Sequence, residues 1–454
     1  MSAPLVELDR LALDATATAE ALAYGHFSAR ELVATLLARV DAQNPQLHAY
    51  THVYPEMALA SATQSDARRA RGGSLGPLDG MPIAIKGNIA VSGWPQHAGL
   101  RFRHDSLARE DAFVVDKLRA AGAIVVGLTN MDEGALGAAG RNPFYGDVVN
   151  PIAAGLSTGG SSAGAAAALA AHLATVALGT DTIGSVRIPA AWCGVTALKP
   201  TFGAISTRGV IPTHHRFDHV GPMARSARDL ELLLGTLVGW DRACRVSFPL
   251  TLRAAPSALR SMRIGFVSGF DALAPDDASI AGYNLAIQAL TGAGHTLQHI
   301  DVTGWQLARA YRALFALCEI EMARAHAARF ASSPQDFSSQ LQRLLDFGGR
   351  QTGADIAQYE SRLAALVARV LGLFETIDVL LTPTTPTSAL TPDSPRLAEC
   401  ATFTGIASAT GRPAVALPVK LVDRAAPTSV QLIGQPGDDY VVLRLAQSLE
   451  AAMS

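Results

Sequence analysis

The sequence predicts an α/β protein, and three observations carry that prediction. A helix, a glycine and an apolar strand follow one another: Asp111–Ala121 reads as a helix with Phe113, Val114 and Leu118 inward, Gly122 ends it, and Ala123–Leu128 reads as a buried strand. Short apolar strand candidates recur at 264–267, 377–381 and 430–433, with helical segments between them. Hydrophobic residues make up 49% of the 454 and charged residues only 17%, which supports a large core and excludes wholesale disorder.

Taken in order, the first 75 residues read as helical. Ser28 and Glu31 have the spacing of a capping box, and Leu32, Val33, Leu36, Leu37 and Val40 form an apolar stripe of helical period, which Asn44-Pro45 is expected to close. Arg68–Gly76 reads as an exposed loop. Between Pro82 and Gly87, Ile83 and Ile85 alternate with Ala84 and Lys86, a short strand that ends on a lysine. Leu156–Ala163 is a Gly/Ser loop opening onto an Ala-rich helix, whose tail at Val176–Gly179 leads into a second Gly/Thr/Ser loop, Thr180–Ser185. Val195–Leu198 is a further strand, and the mostly helical region from about 268 to 370 reads as an insertion covering the core. With no repeat, charge block or Pro-rich linker, one large domain is expected over 1–454: a helical segment (1–75), a core (76–230), the cover (about 268–370) and a C-terminal part of the core (371–454).

Lys plus Arg number 37 and Asp plus Glu 39, a balance that argues against a nucleic-acid binder. Cys193, Cys244, Cys318 and Cys400 are far apart and form no CxxC pair, so neither a disulfide scaffold nor a zinc site is indicated. Met1–Arg10 lacks the basic-then-apolar pattern of a secretory signal, and the small-apolar stretch 163–178 is too short to span a bilayer. These readings predict a cytoplasmic protein without a membrane partner.

The two serine-bearing loops bracket one helix. About 14 helical residues after Ser162 run out roughly 21 Å at 1.5 Å each, and about seven extended residues return roughly 23 Å. Ser161 and Ser185, 24 positions apart, are therefore expected side by side. Neither loop is a phosphate-binding loop, which needs a lysine after its glycines, nor a G-x-S-x-G elbow. One Gly/Ser loop is weak evidence; two at this spacing, with a lysine ending an apolar strand, are stronger.

Gly159-Gly160-Ser161-Ser162-Ala163-Gly164, then Gly179-Thr180-Asp181-Thr182-Ile183-Gly184-Ser185-Val186-Arg187-Ile188-Pro189-Ala190, then Cys193-Gly194 and Leu198-Lys199-Pro200-Thr201, resemble the amidase signature family. Gly80–Lys86, Asn130–Glu133, Asp218–Ser226, Asp378–Pro383 and Val430–Gly434 extend the likeness over nearly the whole chain. The resemblance implies a large mixed sheet covered by helices on both faces and a serine–cis-serine–lysine amidohydrolase. It puts the nucleophile at Ser185, the bridging serine after a cis bond at Ser161 and the base at Lys86. It also implies an oxyanion hole from the backbone N–H groups of Thr182, Ile183, Gly184 and Ser185, with Gly159 and Gly160 beside the substrate.

Such chemistry is physically coherent without histidine. A serine hydroxyl attacks poorly until a base can take its proton, and only about one free lysine in 2,500 is neutral at pH 7. Burial in an apolar strand lowers that barrier. The sequence departs from the family at three places. Ile183 stands where glycine is usual and must keep an ordinary backbone conformation. Gly87 replaces an aspartate after Lys86, and Gly134 follows Glu133 where an aromatic is frequent.

His214, His215, Asp218 and His219 are dense enough to suggest a metal, but the resemblance gives their loop no metal role, so neither metal nor cofactor is expected. His172 reads as a packed or capped histidine, and Asp181 and Arg187 either brace the nucleophile loop or touch substrate. The expected reaction is hydrolysis of a small-molecule carboxamide. The alternatives are the glutaminase (A-type) subunit of a tRNA-dependent amidotransferase, against which 332–358 lacks a glycine-rich basic segment, and an inactive scaffold of the same fold. A homodimer or a small accessory subunit is left open.

Overall fold

A computed structural model describes residues 9–255, 259–422, 424 and 426–453; the first eight residues of the stretch read for a leader lie outside them. Eleven strands among the described residues form one sheet: β1 Tyr50–Val53, β2 Pro82–Lys86, β3 Ile124–Thr129, β4 Val176–Asp181, β5 Thr196–Lys199, β6 His219–Ala224, β7 Arg263–Ser268, β8 Thr296–Asp301, β9 Val379–Pro383, β10 Ala414–Val419 and β11 Thr428–Ile433. Their order is β1-β3-β2-β4-β6-β5-β10-β11-β9-β7-β8. The sheet is mixed: β2 runs parallel to β3 and β4, and β7 to β8 and β9, while the remaining pairs are antiparallel. Strands from the first half of the chain form one wing and β9, β7 and β8 the other. The pair β10–β11 joins them, β10 on β5 and β11 on β9.

The wing around β2 is covered on both faces because alternate side chains point to opposite sides. Ile83 and Ile85 of β2 pack in one cluster with Leu118 and Leu230, whereas Ala84 packs in another with Leu32, Leu36 and the helix Ala163–Ala170. A third cluster joins the helices Leu307–Ser332, Ser339–Gly349 and Gly353–Leu373 to Ile183, Ile188 and Trp192, so the cover rests on the second serine loop. No described helix is long and apolar enough to cross a membrane.

Several sequence expectations need correction. The Ser28 capping box is present, but the helix Ala29–Leu47 runs through Pro45 to its last turn and ends where His48 turns left-handed. The Asn44 side chain then binds both backbone groups of Tyr50 and starts β1, so the first 75 residues are not all helical. The resemblance puts Asp218–Pro222 on a loop, but 219–224 is the central strand β6, disguised by Gly221 and Pro222, which disfavour strands. The cover region contains β8, an edge strand with only Ile300 buried, so no apolar run marks it. The Ala-rich helix has eight residues, not about 14. It rises about 12 Å, and the six residues of β4 make the return.

Candidate active site

Lys86 is the last residue of β2, held between β3 and β4, and is fully buried. Its Nζ lies 2.8 Å from Ser161 Oγ, 2.8 Å from Thr180 Oγ1 and 3.4 Å from the Thr180 carbonyl. Burial lowers its pKa to about 7, although the carboxylates of Asp132, Asp181 and Asp218 pull the other way. Gly160–Ser161 is a cis peptide bond, and the next N–H, that of Ser162, donates to the Ser185 carbonyl at 3.0 Å. The two loops meet through that hydrogen bond.

The loop carrying Ser185 is fixed from below. Asp181 accepts from the N–H of Gly184 at 2.7 Å and of Val186 at 3.3 Å, and it takes a two-pronged ion pair from Arg187, both contacts 2.9 Å. Burial works to raise the Asp181 pKa, but the Arg187 guanidinium overrides it and holds the carboxyl at about 2. Arg187 also donates to the Thr404 carbonyl, Gln431 Oε1 and Ser408 Oγ. Thr404 Oγ1 donates to the Ile183 carbonyl, and Thr182 Oγ1 donates to Asp218 at 2.7 Å. Asp181 and Arg187 are both fully buried and paired with each other, so they brace the loop.

The same bracing sorts the N–H groups of the loop into engaged and free ones. The N–H of Gly184 is spent on Asp181, whereas no described backbone or side-chain acceptor takes those of Thr182, Ile183 and Ser185. Gly184 carries the positive φ of the loop, +135°, so Ile183 keeps an ordinary conformation. A Cβ on Gly184 would lie 2.3 Å from Thr404 Oγ1.

Asp132, which spacing did not single out, packs against the Gly160–Ser161 turn. It is buried, accepts from the N–H groups of Ala139, Gly140 and Arg141, and has its pKa pushed up to about 6 by burial. It lies so close to Gly160 that a Cβ there would be 1.9 Å from its carboxylate. Two departures from the family pattern also find a reason. A Cβ on Gly87 would meet the His97 ring at 2.3 Å, and one on Gly134, where φ is +63°, would meet Met322 of the cover at 3.0 Å.

Ser185 opens into a chamber walled by Leu136, Ala138, Gly160, Ile183, Ile188 and Ala401 and by Tyr311, Phe315 and Cys318. The last three lie on one face of the helix Leu307–Ser332, at the i, i+4, i+7 spacing that could have singled them out. Gly159, expected beside the substrate, is buried and does not line this chamber. A wider cavity shares the Leu136, Ala138, Tyr311 and Phe315 walls and adds Arg141, Arg312, Glu319 and Asp393.

The histidine group separates in space. His214 and His215 converge on Glu321, with donor atoms within 4.8 Å of one another, while Asp218 turns to Thr182 and the N–H groups of Thr213 and His214. His219 belongs to β6 and contacts Lys199 Nζ at 3.1 Å. His172 meets the Leu11 carbonyl at 2.9 Å, a capped histidine.

The sequence profile of the Amidase family matches residues 31–443. The A-type subunit of glutamyl-tRNA(Gln) amidotransferase from Chloroflexus aggregans is 34% identical over 98% of this chain and 97% of its own length, and its counterpart from Carboxydothermus hydrogenoformans is 32% identical over 96% of each. Among solved structures, a chain from an unexpected vestigial protein complex that reveals the evolutionary origins of an s-triazine catabolic enzyme has a TM-score of 0.90 and 32% identity, covering 97% of this chain and 98% of its own. 6-Aminohexanoate cyclic dimer hydrolase has a TM-score of 0.83 and 27% identity, covering 98% of each chain. With its profile match, its mixed sheet and its buried lysine–serine pair, the chain belongs to the amidase family and is an amidohydrolase.

Proposed function

We propose that the chain hydrolyses a small-molecule carboxamide through an acyl-enzyme on Ser185. The observation that carries this reading is the 2.8 Å contact between the buried Lys86 amine and Ser161 Oγ, beneath a loop with three uncommitted N–H groups. Neutral Lys86 takes the proton of Ser161 as Ser161 takes that of Ser185, and Ser185 Oγ bonds to the carbonyl carbon. The N–H groups of Thr182, Ile183 and Ser185 hold the developing oxyanion, where one donor is typically worth about 10²–10³ in rate. The proton then returns through Ser161 to the departing nitrogen as the C–N bond breaks. Water repeats the sequence to free the acid and regenerate Ser185.

The protein acts in this reading as one unit, in the cytoplasm, without direct nucleic-acid contact. Its partner, a second copy or a small accessory subunit, is a matter for light scattering of the purified chain. A second reading has its own support: the curated relatives named above are A-type amidotransferase subunits, which favours glutamine as the ammonia source over a free-standing amidase. The test is labelling by a fluorophosphonate probe together with ammonia release. Ser185→Ala is expected to lose both; labelling that survives in Ser185→Ala and disappears in Ser161→Ala reverses the two serine roles.

A further inference from the structure

Resting on the Ser185 reading above, we propose that the acyl subsite takes an uncharged, apolar acyl group, a short aliphatic or aryl carboxamide, and that Ile183 and Phe315 set its depth. The leaving nitrogen must face Ser161, which returns the proton, so the acyl substituent occupies the rest of the chamber. Leu136, Ile183, Ile188 and Phe315 supply hydrocarbon or aromatic surface there. The polar members of the wall are neutral. Burial raises both the Tyr311 phenol and the Cys318 thiol far above neutrality, and the Thr182 hydroxyl is already committed to Asp218.

Charge enters with the wider cavity, and there it is already paired. Arg141 contacts Asp393 at 2.5 Å and Arg312 contacts Glu319 at 2.6 Å. Inside the chamber, the ammonium and the carboxylate of glutamine would meet no ionised side chain among the lining residues, and burying unpaired charge is strongly unfavourable. An aliphatic or aryl group instead gains from every carbon removed from water. Ile183, standing where the family has glycine, adds a branched side chain to the loop that holds the carbonyl, so the chamber is shallow from that side.

The experiment measures kcat/KM for acetamide, propanamide, butanamide, hexanamide, benzamide and glutamine, alongside fluorophosphonate labelling. Each methylene that fits is expected to raise kcat/KM by about fourfold, and hexanamide or benzamide to exceed glutamine by about 100-fold or more. Ile183→Gly and Phe315→Ala are each expected to raise the hexanamide-to-acetamide ratio, Phe315→Ala providing the test should the loop variant fail to fold. A flat aliphatic series, a glutamine rate equal to or above that of hexanamide, or an unchanged ratio in the folded variants overturns the apolar subsite while Ser185 labelling leaves the catalytic reading standing. Failure of Ser185 to label in the wild type overturns the catalytic reading itself.

Discussion

Two lysines end strands of the same sheet, Lys86 on β2 and Lys199 on β5. Both are fully buried, and burial lowers both to a pKa of about 7. Their partners differ. Lys86 faces two hydroxyls, those of Ser161 and Thr180, next to the chamber where Ser185 opens. Lys199 donates to the Pro200 carbonyl at 2.8 Å and meets the His219 ring at 3.1 Å; among the described residues it has no hydroxyl to deprotonate and no share in the chamber wall. A depressed pKa therefore supplies the capacity to act as a base, and only the partner supplies the reaction.

The strongest test of that contrast exchanges the lysines one at a time. Lys86→Ala is expected to slow acylation by about 10²–10⁴, the usual worth of a positioned base, with an unchanged circular dichroism spectrum. Lys86→Arg is expected to fail equally, because guanidinium stays protonated. Lys199→Met is expected to lower the melting temperature while changing turnover less than tenfold. A Lys199 variant as inactive as the Lys86 variant, at unaltered stability, erases the distinction.

Breaking the brace between the two sites comes next in size. Arg187→Met leaves Asp181 as a buried, uncompensated carboxylate and is expected to cost about 3–5 kcal/mol in urea denaturation.

The pH profile sharpens the comparison. In the proposed relay the neutral amine is the active form of Lys86, so kcat/KM is expected to rise with pH through about 7 and level off on the alkaline side. Lys199→Met should leave that ionisation in place. Stability moves in the same direction. The folded pKa lies below that of free lysine, so between them the unfolded chain binds more protons and stability rises with pH. Lys86→Met is expected to flatten this rise in denaturant midpoints measured from pH 7 to 10. The smallest expected effect is that of metal removal: prolonged EDTA treatment should leave turnover unchanged, whereas a loss restored by zinc would bring His214, His215 and Glu321 into the reaction.

Much of the site could be read from the sequence because its parts are local and chemically distinctive. Lys86 at a strand end and the two Gly/Ser loops are contiguous motifs, and the meeting of the loops follows from helix and strand lengths even though the helix is shorter than expected. What the sequence hid depends on distant or ordinary residues. Asp132 acts by accepting three N–H groups from 139–141, a role no spacing announces. The N–H of Gly184 is lost to Asp181 only because Arg187, anchored at Thr404 and Gln431, holds that carboxylate in place. For the fold, β6 and β10 carry Pro222 and Pro418 and β8 is an exposed edge, so propensity and periodicity both pointed away from strands.

The placement of β10 and β11 between the two wings of the sheet has a temporal consequence. A chain made from its N-terminus holds Lys86, Ser161 and Ser185 early, yet β5 and β9 have nothing between them until residues 414–433 emerge. Gln431, which anchors Arg187 and through it the Ser185 loop, arrives with that last pair. Contacts spanning 244 residues of sequence close late and slowly. On the proposed reading, hydrolytic competence waits for the sheet to be zipped shut, and a chain cut before β10 would carry Lys86, Ser161 and Ser185 without the Gln431 anchor of the loop that holds Ser185.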